Sequence, residues 1–316
     1  MSRSGPRSKG SVAIAALWVT VILSLLAVAL AQGVRQKMRI FQHLSLKEQS
    51  RQLGESAVKK VIAEIQSAPV TLGDTATGNE WYAKRLGENE RFVIETSPAD
   101  FVIEDENSKI NINKADIPVL ENLFSLLARC SAEEARQLSE AMQDFRDTDD
   151  FVTGEENGGS ERGAWRQAGL FFGPKNGDFE LTQELLLVKG VTKEIYSLLE
   201  NYITIYGDGR VNINTCRKEV LAALGLPDSL TEKILDARKS FVFKHSSAIA
   251  QDLSRLTPLT GEEKGVLMHS IAHNEFCVTS DHFRIHGTAR IFDPPFSSRF
   301  ACVYGVKDGI RYWAEA

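Results

Sequence analysis

Residues 109–120 read KININKADIPVL, and residues 210–221 read RVNINTCRKEVL. Each has a basic residue, then Asn-Ile-Asn, then Val-Leu at the same relative position. Asparagine tolerates turn geometry and bonds to nearby backbone, so each stretch predicts a polar turn that opens a helix. The pair points to two structurally related helical units within one segment.

The sequence around them agrees. Residues 108–273 read mostly as helix. Ala135, Leu138, Met142 and Phe145 form one apolar stripe, and Ile195, Leu198, Leu199 and Tyr202 form another. Thr260 and Glu263 make a T-x-x-E capping box, and Gly225 closes EVLAALG as a helix C-cap does. Strand patterns flank this segment. RFVIETS and FVIEDEN lie before it, between 91 and 107. FRIHGTARIF, RFACVYGV and IRYWAE lie after it, between 276 and 315. Phe283, Ile285 and Gly287, like Phe300, Cys302 and Tyr304, alternate as antiparallel strands with one covered face do. Lys307-Asp308-Gly309 reads as a hairpin turn. The expected fold class is therefore α+β. An antiparallel sheet over 69–107 and 274–316 encloses an inserted α-helical domain, 108–273.

The chain begins differently. Residues 11–31 carry no charge, and 21 residues of helix span roughly 30 Å, the thickness of a bilayer core. A secretory signal has a shorter apolar core of about 7–15 residues, so the span reads as a retained membrane helix. Arg3, Arg7 and Lys9 precede it, and Arg35, Lys37 and Arg39 follow, so flanking charge alone leaves orientation open. Val34, Met38, Phe41 and Leu44, then Leu53, Ala57, Val61 and Ile65, recur at helical spacing. They extend the helix as an amphipathic stem over 32–68, ending before Pro69.

Net charge is −5, and the three leader cations leave residues 11–316 at −5 − 3 = −8. That balance argues against binding a phosphate backbone. Cysteines 130, 216, 277 and 302 form no C-x-x-C, so a zinc ribbon is not expected. Cys277 and Cys302 lie in strand-like sequence and could pair outside the cytoplasm, or remain buried thiols. Nucleophile elbow, P-loop and dinucleotide motifs are absent, which favours a non-enzyme. His269 and His273 are four apart, but residue 270 is serine rather than glutamate, and two helix histidines are the expected outcome.

DFRDTDDFVTGEENG, residues 144–158, gathers Asp144, Asp147, Asp149, Asp150, Glu155 and Glu156. Carboxylates beside a glycine suit calcium, although Phe151 at the fifth position excludes an EF-hand. The plain reading is a solvated acidic loop. VNINT through VLAALGLPDSLTEKILDAR resembles a helix-hairpin-helix unit. Its turn, Gly225-Leu226-Pro227-Asp228, lacks Gly-x-Gly. Pro227 removes a donor and Asp228 repels phosphate, so structural use is expected rather than nucleic-acid binding.

These features together resemble the K-type minor pseudopilin family of the type II secretion system. The resemblance rests on a basic leader ending in Gly10, Ala15, the stem, DTDDFVTGEENG, ELLLVKGV (184–191), GRVNINTCRKEVLAALG (209–225) and the C-terminal YWAE. It implies that prepilin peptidase removes residues 1–10 between Gly10 and Ser11 and methylates Ser11. Most pilin-like proteins carry glutamate where this chain has Ala15. A subunit with no predecessor in the fibre needs no such carboxylate, so Ala15 implies a tip position. The resemblance also implies a single-pass inner-membrane protein with a periplasmic C-terminal domain, assembling with other minor pseudopilins. It adds weight to a structural calcium at Asp147, Asp149, Asp150 and Glu155, while Gly154-Glu155-Glu156 departs from the family's Gly-Ala-Glu. No other cofactor and no nucleic-acid partner are expected. The alternative is a membrane-anchored helix-hairpin-helix protein of competence type that binds nucleic acid.

Overall fold

The computed structural model describes residues 9–67, 92–96, 99–154 and 159–315. Met1–Ser8 of the expected leader, residues 68–91 of the expected stem end and first β segment, and Glu155 and Glu156 lie outside the described residues.

Helix α1 runs unbroken over Lys9–Ser67, about 88 Å at 1.5 Å per residue. Its course contains one helix long and apolar enough to cross a membrane. From Val12 to Leu44 its large apolar side chains stand exposed. Beyond that point the same helix changes role. Val58, Val61 and Ile65 are buried against a sheet, as expected of one face of the stem.

That sheet has five antiparallel strands: β1 (Phe92–Thr96), β2 (Ala99–Asp105), β7 (His282–Phe292), β8 (Pro295–Gly305) and β9 (Gly309–Glu315), in the order β1-β2-β7-β8-β9. β2 and β7 are neighbours although more than 170 residues separate them (Asp105 pairs with Phe283), so the sheet closes across the insert. The alternation seen in sequence is realised. Phe283, Ile285, Ala289, Phe300, Cys302 and Tyr304 face α1 and form one core with Val58, Val61, Ile65 and Ile103. The turn at 307–309 uses Gly309 at φ 75°, where a side chain would be strained.

The insert has a separate core. Its first unit contains β3 (Ile110–Asn111), α2 (Ile117–Leu127) and α3 (Ala132–Arg146). α4 (Glu161–Gln167), α5 (Lys193–Leu199) and β4 (Ile203–Thr204) follow. The second unit contains β5 (Val211–Asn212), α6 (Lys218–Ala223), α7 (Asp228–Ala237), α8 (Ile249–Leu256), α9 (Gly261–Ala272) and β6 (Phe276–Cys277). β3 pairs in parallel with β4, and β5 in parallel with β6.

The Asn-Ile-Asn motifs explain the resemblance between the units. The Asn111 side-chain oxygen accepts from the Asn113 amide at 2.9 Å, and that of Asn212 accepts from the Asn214 amide at 3.0 Å. Asn113 then exchanges a pair of bonds with the backbone of Phe179, 3.0 and 2.8 Å, and Asn214 does the same with Phe243, 2.9 and 3.0 Å. Each motif therefore folds its own turn and pins a distant segment by pairing with it as a peptide group would. An arginine from the second helix of each unit caps the turn. Arg146 donates to the Ile112 and Ala115 carbonyls, and Arg238 to that of Cys216.

The helix marks read from sequence are present. Thr260 and Glu263 form the capping box, Ser131 and Glu134 form a second, and Gly225 takes φ 86° after α6. All four cysteines are free. Cys277 lies in β6 of the insert, and Cys302 lies in the core under α1, so the pairing considered from sequence does not form. Burial pushes both thiols up to about 12.

Insert and sheet meet through buried polar groups. Asp105 Oδ2 accepts from Thr215, Ser280 and Asn212, and Asn107 Oδ1 accepts from the amides of Asp281 and His282 at 3.1 Å. Glu106, fully buried, takes Lys109 Nζ at 2.9 Å, Arg284 Nε at 2.6 Å and the Thr204 hydroxyl. Burial opposes its charge, but the two cations and their hydrogen bonds outweigh it and hold its carboxyl at about 2.

Candidate functional site

The acidic stretch leaves the C-terminal end of α3. Asp144 lies on the buried side of that helix, and Asp147 is its C-terminal cap. The chain then doubles back. Phe151 bridges to Ser160, the Val152 amide donates to Gly159 O at 2.9 Å, and Glu161 begins α4 with its amide on Asp150 O. Gly154 at φ 83° lies against Glu140, whose Oε1 would be 2.6 Å from an added Cβ.

This fold-back brings Asp144, Asp147 and Glu161 together, each offering an oxygen within 4.8 Å of the others. Two oxygens bound to one calcium at about 2.3–2.6 Å lie at most about 5 Å apart, so the spacing fits. The hydrogen bonding fits as well. Asp144 Oδ1 accepts from the Thr153 amide at 2.8 Å, which orients it. Glu161 is fully buried, and among the described residues neither of its oxygens has a hydrogen-bond partner, nor does Asp147 Oδ1. Buried carboxylate oxygens without donors are costly unless a cation or proton satisfies them.

The electrostatics agree. Burial first, then the neighbouring charges of Asp144, Asp147, Asp149 and Asp150, raise the Glu161 carboxyl to about 8. Burial is also the largest cause of the upward shifts of Asp144 and Asp147. A divalent cation would reverse these shifts. Its hard oxygen donors are of the kind calcium takes.

Of the expected ligands, Asp147 is in the cluster. Asp149 and Asp150 are close enough to act on Glu161 through charge, but their side chains bond the Phe151 amide and the Ser160 hydroxyl. Glu155 lies outside the described residues. Asp144 and Glu161 were not singled out as ligands from sequence. Asp144 sits among the apolar residues of α3, and an acid at the start of α4 resembles ordinary helix capping.

The other candidates resolve simply. The His269 and His273 rings lie 4.0 Å apart between centroids, tilted at 41°, with His273 Nδ1 2.9 Å from the His269 carbonyl. Among the described residues no third ligand joins them. In the helical hairpin α6–α7, Lys218 pairs with Glu232 and Asp228, Lys233 with Glu263, and Lys239 with Asp236. Gly10 and Ser11 lie in the first turns of α1, and Ala15 is on its exposed apolar part.

A long apolar helix docked on an antiparallel sheet, with a helical domain inserted between strands, is a pilin-like fold with a large inserted domain. Residues 100–208 match the family described as type II secretion system (T2SS), protein K. That match spans most of the sheet's second strand and the first part of the insert, about a third of the chain. No curated protein matches the chain. Among solved structures, a chain of the GspK-GspI-GspJ complex from the type 2 secretion system of enterotoxigenic Escherichia coli has the same fold. Its TM-score is 0.58 at 16% identity, covering 85% of this chain and 94% of that one.

Proposed function

We propose that the chain is a non-enzymatic tip subunit of the type II secretion pseudopilus, starting or capping its assembly for export of folded proteins. The observation that carries this reading is the insert. It has its own core, separate from that beneath α1, and such a head would be hard to fit into a closely packed shaft, whereas a tip imposes no steric limit. The absence of a carboxylate at Ala15 supports it, since a carboxylate in the membrane needs a partner. The solved neighbour, a complex with GspI and GspJ, supports I- and J-type minor pseudopilins as partners, reached through the exposed apolar part of α1.

In this reading prepilin peptidase cuts between Gly10 and Ser11. α1 crosses the inner membrane once, and the sheet and insert are periplasmic. Asp144, Asp147 and Glu161 hold a structural calcium, with Asp149 and Asp150 adding charge beside it. The ion would fasten the acidic stretch to α3 and α4. Mass spectrometry of the mature N-terminus after co-expression with the peptidase tests the processing step: a chain starting at Ser11 is expected, and any other start refutes it. Crosslinking at α1 to co-expressed I- and J-type subunits tests the assembly.

A further inference from the structure

The β7–β8 hairpin lies along α1 in a fixed register. The Phe296 ring meets His43 edge-on at 5.5 Å, Ser298 Oγ is 2.6 Å from Ser50 Oγ, Phe300 covers Gly54, and Tyr304 accepts from Gln66 at 2.9 Å. Numbers rise together on helix and strand, so the hairpin turn, residues 292–295, points toward the N-terminal half of α1. From Phe296 the turn reaches about 7 Å further, to roughly the level of Arg39. The uncharged run ends at Val34, about 8 Å away along the helix. Headgroups extend about 5–8 Å beyond the hydrocarbon on each side, so a membrane spanned by α1 brings its headgroup layer to this turn.

The turn and the helix beside it are suited to that layer. Phe292 is 70% exposed at the end of β7, and Phe41 is 69% exposed on α1. Pro294 and Pro295 have no backbone N–H, which lessens the cost of entering a poorly hydrated layer. From Val34 to Lys47, α1 carries Arg35, Lys37, Arg39 and Lys47 and no carboxylate; Asp293 is the one acid of the turn. This local excess of positive charge stands in a chain of net charge −5. Clustered Lys and Arg beside a span attract anionic headgroups, and exposed aromatic rings settle at the interface.

We propose that the β7–β8 turn and the basic segment of α1 form a second membrane contact, with anionic phospholipid headgroups, that holds the head in a set orientation on the bilayer. It rests on reading α1 as a membrane helix. The test uses the full chain in nanodiscs, with Cys130→Ser and a fluorophore on Phe292→Cys, Leu198→Cys or Val19→Cys, and nitroxide-bearing lipids as quenchers. Quenching at position 19 checks the span itself, so failure there is separate from failure of the contact. The contact predicts several-fold stronger quenching at 292 than at 198 in discs containing phosphatidylglycerol. It also predicts loss of that excess in phosphatidylcholine alone or with Arg35, Lys37 and Arg39 all changed to Gln. Equal quenching at 292 and 198 overturns the contact. Quenching at 292 that ignores lipid charge overturns the anionic assignment. Shielding of 292 only when I- and J-type subunits are added, without lipid quenching, assigns the turn to a protein partner and overturns it too.

Discussion

Asn122 donates a 3.0 Å hydrogen bond to the carbonyl of Ala223, a residue 101 positions further along the chain. The same interval separates the paired motif residues: 212 − 111 = 101 and 214 − 113 = 101. The bond therefore joins one position to its counterpart in the second unit, where α2 packs on α6. Equivalent surfaces of the two units meet, and Leu120 and Leu221, also counterparts, are both fully buried there.

The motif asparagines are thus structural anchors, and they differ in burial. Asn214 is fully buried, while Asn113 is half-buried. Asn214→Ala leaves the amide and carbonyl of Phe243 and the carbonyl of Val278 without the partner they have. The cost should be on the order of 3 kcal/mol. Asn113→Ala should act in the same direction and by less, because water can reach the groups it exposes. Urea unfolding of both variants measures the difference.

Calcium should stabilise the head through the Asp144, Asp147 and Glu161 cluster. Saturation at about 100 times the dissociation constant corresponds to about 2.7 kcal/mol, readable as a rise in Tm that chelator reverses. Glu161→Gln should abolish that rise while making the chelated protein more stable at neutral pH, since the amide is neutral in both states and folding no longer has to protonate a group that is ionised when unfolded. In chelator, the Glu161 carboxyl at about 8, against 4.5 when unfolded, makes the native state bind more protons. Stability should therefore fall as pH rises from about 4.5 to 8. Equal melting with and without chelator would contradict the assignment.

The fold was more legible than this site, for a physical reason. Strand alternation at Phe283, Ile285, Phe300 and Cys302 and the uncharged run 11–31 are each read from local sequence pattern. The motif repeats exposed the duplication because each asparagine first bonds within its own turn. The bonds from Asn113 to Phe179 and from Asn214 to Phe243 depend on where distant loops return, which spacing does not encode. Glu161 illustrates the same limit. It joins Asp144 because Phe151 bridges Ser160, and an acidic loop read linearly draws attention to its densest part instead.

The junction should respond to acid in the opposite sense from the chelated cluster. The Glu106 carboxyl is held at about 2 against 4.5 when unfolded. Its ionised form therefore contributes stability that is present above pH 4.5 and lost as pH falls toward 2. Glu106→Gln should flatten that part of the stability profile. It should also destabilise at neutral pH, because Lys109 and Arg284 remain buried or half-buried without their shared carboxylate. Circular dichroism of acid unfolding reads both effects.

Two glycines on α1 separate the parts of that helix. Gly54 lies under Phe300, and a Cβ there would come within 3.1 Å of the ring; at Gly33 nothing among the described residues lies within 4 Å. Gly54→Leu must push Phe300 or the helix outward from a core that includes Val58, Val61 and Cys302. Overpacking of this kind costs about 1–3 kcal/mol. Gly33→Leu should leave the head's stability unchanged, and as a better helix former than glycine it should not weaken α1. Melting curves of the two variants in detergent, followed by the near-ultraviolet signal of the aromatic residues, should separate them. A destabilised Gly33→Leu head, or an unaffected Gly54→Leu head, would contradict docking of the sheet on this part of the stem alone.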